Sequence, residues 1–203
     1  MDNHHQTLLF ETLSALAPLR QADLHEAHTL FSFRHYPPKT EIFSAGDLVS
    51  EIHFLLNGIG RYFYIDASGT ERNKSLVRTG GAFASVSSLV EGHGSPFYAE
   101  AITTCTVASI NYQALIELSE QHHAWSVFLR RVYERLVLKK EKREADFLLL
   151  SARQRYEQFL DEFGEESTQI PLRHVAMYLG VTDVTLSRIR REMNLTSHGL
   201  NIS

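Results

Sequence analysis

Ile170-Pro-Leu-Arg-His-Val-Ala-Met-Tyr-Leu-Gly-Val-Thr-Asp-Val-Thr-Leu-Ser-Arg-Ile-Arg-Arg-Glu192 is the most informative stretch of the chain. Pro171 suits the first turn of a helix, where its missing N–H would go unpaired in any case. Val175, Ala176 and Leu179 then supply an inner face. Gly180 permits a sharp turn, and Val181 is expected to bury in the angle between two helices. Thr182 is a good N-cap for the second helix, with Asp183 beside the positive end of its dipole. Leu186 and Ile189 anchor that helix inward, which leaves Asp183, Val184, Ser187, Arg188 and Arg191 on its outward side.

Two short helices joined this way read as a helix-turn-helix. The second helix of such a unit places its N-terminal half in the major groove of DNA, and an arginine fork there matches O6 and N7 of guanine. An ordinary helical hairpin with a solvated basic face has the same periodicity. The spacing of Ala176, Gly180, Val181 and a capping Thr182 favours the DNA reading. The net charge of −4 does not decide the matter, because binding depends on a local basic face. Arg188, Arg190 and Arg191 crowd one segment, whereas Asp161, Glu162, Glu165 and Glu166 crowd another.

Upstream of this unit, residues 147–163 read as one helix stopped by Gly164, followed by a solvated acidic connection, Glu165 to Gln169. Before it, His122, Trp125, Leu129, Val132 and Leu136 recur at 3–4–3–4 spacing and form one stripe on a long helix. That stripe fits either packing on the chain's own β-domain or a dimer seam, in which case Phe128, Val137 and Leu138 would face the barrel. Lys139, Lys140 and Arg143 end the apolar run. From Phe31 to about Ile110 the texture is short β-rich runs broken by turn signals, such as Pro37-Pro38, Asn57-Gly58 and Gly80-Gly81, which suggests an antiparallel barrel or roll. Residues 7–31 read as helical.

Composition narrows the function classes. The chain has 203 residues, 43% of them hydrophobic, enough for one good core or two small ones. No run approaches the roughly 18 apolar residues of a membrane span, and Met1 to Gln6 gives no sign of a signal peptide. Cys105 is the only cysteine, which excludes an internal disulfide or a cysteine-only iron–sulfur cluster within one chain and fits a reducing cytoplasm. Histidine-bearing β-barrel enzymes cluster their metal ligands, but here His53 stands alone, followed by Phe54 and Leu55. His4, His5, His122 and His123 read as surface or packing residues. No nucleophile triad, phosphate loop or zinc pattern is visible, so no enzyme, metal or cofactor is expected.

Residues 170–192 closely resemble the helix-turn-helix of Crp/Fnr-type regulators. Tyr36-Pro-Pro-Lys-Thr-Glu-Ile-Phe-Ser-Ala-Gly-Asp47, followed by Ile52-His-Phe-Leu-Leu-Asn-Gly58, looks like that family's opening β-roll strands, and Gly69, Gly81 and Phe83 fall where its later turns lie. The resemblance implies an α+β fold with three parts. Residues 1–120 would be N-terminal helices and an antiparallel, cyclic-nucleotide-binding-like β-roll (a double-stranded β-helix). Residues 121–146 would be the long dimerisation helix, and 147–203 a DNA-binding domain. Carried over residue by residue, Arg188 takes the guanine-reading position and Ser187 lies beside it. Thr182 and Thr185 fall where hydroxyls meet phosphate, and Arg173 near the backbone. The expected partners are double-stranded DNA with a palindromic site, a second copy of the chain, RNA polymerase and an unknown small-molecule effector, with no membrane. The runner-up is a β-roll sensor or scaffold whose helical tail binds protein.

The chain departs from the family's pattern in the effector pocket. The expected pocket residues are Phe83, Ser85, Val86, Ser87, Ser95 and Tyr98. Ser85-Val86 and Ser95-Pro96 stand where cyclic-nucleotide-binding members carry Gly-Glu and Arg-Ser, so no cation is left for a cyclic phosphate, which would be costly to bury unpaired. Lys140 and Glu141 appear where the family has small hydroxyl residues. A response to cyclic AMP is not expected. After the recognition helix, Asn194 to Ser203 is too short for the family's full wing, so a truncated or absent wing is expected.

Overall fold

Short apolar-rich runs, reset at tight turns, produce eight strands among the described residues. They are β1 (Phe31–Tyr36), β2 (Glu41–Phe43), β3 (Glu51–Asn57), β4 (Ile59–Ile65), β5 (Glu71–Arg78), β6 (Ala82–Phe83), β7 (Tyr98–Ala101) and β8 (Cys105–Asn111). In the computed structural model, which describes residues 3–195, they form two four-stranded antiparallel sheets, ordered β1-β8-β3-β6 and β2-β7-β4-β5. The helices are α1 (Asn3–Leu16), α2 (Gln21–Ala27), α3 (Val86–Glu91), α4 (Tyr112–Gln121), α5 (His123–Leu149), α6 (Ala152–Phe163), α7 (Leu172–Leu179) and α8 (Asp183–Glu192). The chain divides into two compact units, residues 1–141 and 142–203.

The first unit has two cores because β3 and β8 bury both faces. One face carries Ile52, Phe54, Leu56, Ala108 and Ile110, which pack with Leu9 and Leu13 of α1, Leu24 of α2, Leu115 and Leu118 of α4, and Trp125 and Phe128 of α5. The opposite face turns Leu55, Cys105 and Val107 into the roll, where they meet Phe43, Phe83, Phe97, Ala99 and Ala101. His53, also buried, accepts or donates a hydrogen bond at Ser109 Oγ, 2.7 Å from its Nδ1. Burial pushes its imidazole down to about 4, so it stays neutral near pH 7.

The outer side of the second sheet holds a buried charge. Arg61, 1% exposed, donates to Glu100 at 2.9 Å, Glu71 at 2.6 Å and Asn73 at 3.0 Å, and lies 4.0 Å over the Phe63 ring. Three acceptors and a ring satisfy most of the guanidinium, which is the condition for burying one without heavy cost. Tyr98 stacks on Phe63 at 5.0 Å on this outer side. It therefore points away from the roll interior, which corrects its expected place in the effector pocket. In β7 it is Ala99 and Ala101 that face inward.

Three further expectations are corrected. The helix expected over 147–163 is two helices: α5 runs on to Leu149, and α6 starts afresh after Ser151, whose hydroxyl accepts from the Gln154 N–H while the Gln154 side chain accepts from the Ser151 N–H. His122 is not on the long helix. It precedes it, and its carbonyl accepts from the N–H groups of Trp125 and Ser126. Val137 and Leu138 do not face the barrel; they are 59% and 62% exposed. The acidic connection after Gly164 winds into a 3-10 turn over Gly164–Gln169. The expected wing segment falls, from residue 196 on, outside the described residues.

Candidate functional site

In the second unit α7 and α8 are joined by a turn built from backbone hydrogen bonds. Gly180 has φ +69°, and its N–H bonds to the Met177 carbonyl while the Val181 N–H bonds to that of Ala176. This pairing closes a helix through a left-handed residue. A Cβ on Gly180 would come within 2.7 Å of the Phe147 ring, so glycine is required for space as well as for φ. Arg143 donates to the Tyr178 carbonyl at 2.8 Å and Arg155 to that of Leu179 at 3.2 Å, so two cations sit at the C-terminal end of α7. Neither arginine was marked by the sequence pattern, because each reaches the turn from a distant helix.

After the turn, Thr182 caps α8. Its hydroxyl oxygen accepts from the Thr185 N–H at 3.2 Å and lies 2.9 Å from the Thr185 hydroxyl. Leu186 and Ile189 are buried, joined by Val175, Ala176, Leu179 and His174 of α7. The inner face thus contains a histidine that hydrophobic spacing did not mark. Asp183, Val184, Ser187, Arg188 and Arg191 are exposed, Val184 to 78%. Thr185 is half-buried, and Arg173 is exposed on α7. The side chain of Arg188 is 68% exposed and its Nε stands 3.8 Å from Glu192, one turn along, so little holds it back. Arg190 differs: it donates to the Tyr156 hydroxyl at 3.0 Å and the Leu195 carbonyl at 3.2 Å. It belongs to the scaffold, although the sequence groups it with its two neighbours.

The expected pocket residues of the first unit only partly converge. Phe83 is fully buried among the roll side chains, and Ser85 is buried ahead of α3, 3.3 Å from Ser87 Oγ. Val86 is exposed. Ser95 is buried, but its hydroxyl donates to the Phe97 carbonyl at 2.8 Å and its backbone pairs with Gly46 and Asp47. The polar centre of the interior is Tyr62, which no motif singled out. Its hydroxyl accepts from the Ala84 N–H at 2.7 Å and donates to the Ala82 carbonyl at 3.0 Å. The need of a buried tyrosine hydroxyl for partners is the signal that could have found it.

On α5, Trp125 is fully buried and donates its indole N–H to the Asp23 carbonyl at 3.3 Å, while Leu129 and Val132 pack against the same core. Leu136 is half-buried. The upper part of the predicted stripe is therefore used inside the protomer. Among the described residues no helix is long and apolar enough to cross a membrane.

Residues 33–122 match the family model of the cyclic nucleotide-binding domain. No curated protein sequence matches the chain. Among solved structures, FixK2 from Bradyrhizobium japonicum superposes with a TM-score of 0.72 at 18% identity, over 85% of this chain and 89% of that one. CLP from Xanthomonas campestris, described as a c-di-GMP-responsive global regulator, gives 0.70 at 14% identity over 90% and 96%. The Thermus thermophilus catabolite activator protein gives 0.56 at 22% identity over 93% and 91%. Residues 33–122 thus match the cyclic nucleotide-binding domain, and the chain has the fold of the Crp/Fnr-type regulators.

Proposed function

We propose that the chain is a sequence-specific DNA-binding transcription regulator that acts in the cytoplasm as a homodimer and is modulated through its β-roll by an effector other than cyclic AMP. The observation that carries this reading is the exposed face of α8. Val184, Ser187, Arg188 and Arg191 stand outward while Leu186 and Ile189 fix the helix to its unit. Arg188 reads guanine, with Ser187 and Val184 against neighbouring bases; Val184 can meet a thymine methyl. Arg173, Thr182, Thr185 and Arg191 meet phosphates, which set position and not sequence, and Asp183 supports the helix start. Two copies pair along α5 and present their α8 helices to half-sites of a palindrome about one helical turn apart. RNA polymerase is the further partner of such a regulator.

The test is a randomised-site selection followed by band shifts across a salt series. A palindromic motif whose affinity falls steeply with salt supports the reading. Failure to enrich any motif, or binding indifferent to salt, removes it.

A further inference from the structure

In the second unit the last turn of α5 is built into the turn between α7 and α8. The Phe147 ring lies against Gly180, close enough that a Cβ there would come within 2.7 Å of it. The guanidinium of Arg143 stands 4.8 Å from the centre of that ring and 4.2 Å from that of Tyr178. The guanidinium of Arg155 stands 4.9 Å from the Phe147 centre. Arg155 also joins two helix ends. Its Nη1 donates to the Leu150 carbonyl at 2.7 Å, just past the end of α5, and its Nε to that of Leu179, the last residue of α7. Arg143 donates to the neighbouring Tyr178 carbonyl. The free carbonyls of a helix end carry partial negative charge, so a cation between two such ends attracts both. Capping alone does not account for the arrangement. A single exposed lysine serves one helix end, whereas here two half-buried guanidiniums and an aromatic ring fix one end against another. Arg153, on the same helix as Arg155, shows the ordinary alternative: it pairs with Glu157 one turn along.

We infer that Arg143 and Arg155, acting through Phe147, are positioning residues that set the direction of α8 relative to α5, and with it the half-site spacing that the dimer accepts. This rests on the reading of the chain as a DNA-binding regulator paired along α5. The connection from Gly180 to the start of α8 at Asp183 is short and internally bonded, through the Val181 N–H and the Thr182 cap. A helix that starts so close to a fixed point inherits the orientation of that point. The planar guanidinium fork holds two carbonyls in one geometry, which a flexible ammonium does not. Adding one base pair between half-sites moves the second by about 3.4 Å and turns it by about 35°. A stiff joint resists that adjustment, and a loosened one follows it. These side chains need not touch DNA; they act on recognition through α8.

The experiment takes the palindrome selected by the full chain and measures band-shift affinity for it, and for the same half-sites set one base pair closer and one farther apart. Wild type should prefer the selected spacing. Arg155→Met, and more so Arg143→Met combined with it, should narrow that preference by about fivefold or more, within the range over which coupling residues act, while the half-site motif stays the same. Arg190→Ala is the control. It removes a scaffold contact at the far end of α8 and should leave the preference at its wild-type ratio. Arg155→Lys keeps the cation but not the fork, and should behave like Arg155→Met. The proposal is overturned if wild type binds all three spacings alike, if the folded arginine variants keep its preference, if Arg190→Ala narrows it equally, or if Arg155→Lys retains it in full. Circular dichroism checks folding. If the arginine variants do not fold, Phe147→Leu, which keeps an apolar side chain without the ring, decides by the same ratio. Failure of wild type to select any palindrome defeats the regulator reading, whereas a selected palindrome whose spacing preference survives in the variants defeats the joint alone.

Discussion

Arg188 and Arg190 lie two positions apart, yet the structure gives them separable consequences. Replacing Arg190 by alanine removes the donor to the Tyr156 hydroxyl, in a tyrosine that is 1% exposed, together with the donor to the Leu195 carbonyl. Leaving a buried hydroxyl short of a partner costs about 1–3 kcal/mol, and the Leu195 contact, near the surface, adds little. Arg190→Ala should therefore lower the unfolding free energy of the second unit by about 1–3 kcal/mol while leaving the selected DNA motif unchanged. Arg188→Ala should do the reverse. Its side chain makes no strong contact within the unit, so stability should stay within about 0.5 kcal/mol. Losing a guanine contact should cost about 1–3 kcal/mol of specific binding and relax one base pair. The assays are hydrogen exchange of amides in α6 and α8, and site selection on both variants. If Arg190→Ala alters the motif with stability intact, or Arg188→Ala leaves the motif unchanged, the assignment of roles on α8 is refuted.

Four further outcomes are expected. Leu129→Glu should destabilise the first unit by about 2–5 kcal/mol, because it puts a charge against a packed core, whereas Leu138→Glu should leave that unit folded and shift sedimentation toward monomer; an unchanged dimer would move the seam elsewhere. His53, near 6.5 when unfolded and about 4 when folded, contributes fully above pH 6.5 and loses its contribution as pH falls toward 4. At about 1.36 kcal/mol per pKa unit this is roughly 3 kcal/mol, so urea unfolding read by Trp125 fluorescence should weaken more steeply over that range in wild type than in His53→Gln, and parallel slopes would contradict it. Gly180→Ala should lower the stability of the second unit by about 1–2 kcal/mol from its left-handed backbone alone, with the Phe147 clash adding to that, seen as faster amide exchange in α7; a neutral result would mean the turn can relax. Cyclic AMP should change neither melting temperature nor DNA affinity, and a micromolar calorimetric isotherm would overturn the reading of Ser85 and Ser95.

The sequence revealed most where local chemistry dictates structure. Gly180, Thr182 and the inward Leu186 and Ile189 read correctly because turns and caps are short-range devices. The break at Ser151 was legible in the same terms, since Ser151 and Gln154 have capping-box spacing, but the apolar run across it masked the signal. Facing was harder. A 3–4 stripe on a helix does not say whether a sheet or a second chain covers it, and Trp125 proved to belong to the protomer's own core. Tyr98 was misplaced for a related reason: with Phe63 and Arg61 covering the outer side of the sheet, both faces of β7 accept an aromatic residue. Tyr62 was invisible because its significance comes from strands brought together only by folding.

The order of the sheets has a consequence for life at high concentration. Each sheet ends on two strands whose outer backbone groups could template another chain. β6 has two residues and β2 has three, with an irregular register against β7. The longer borders, β1 and β5, carry Arg34 and His35, and Glu71, Arg72, Lys74 and Arg78. Short or charged borders discourage edge-to-edge stacking, so the roll can be crowded without seeding fibrils. Neutralising β5 through Arg72 and Arg78 is the change that would most expose it to that fate.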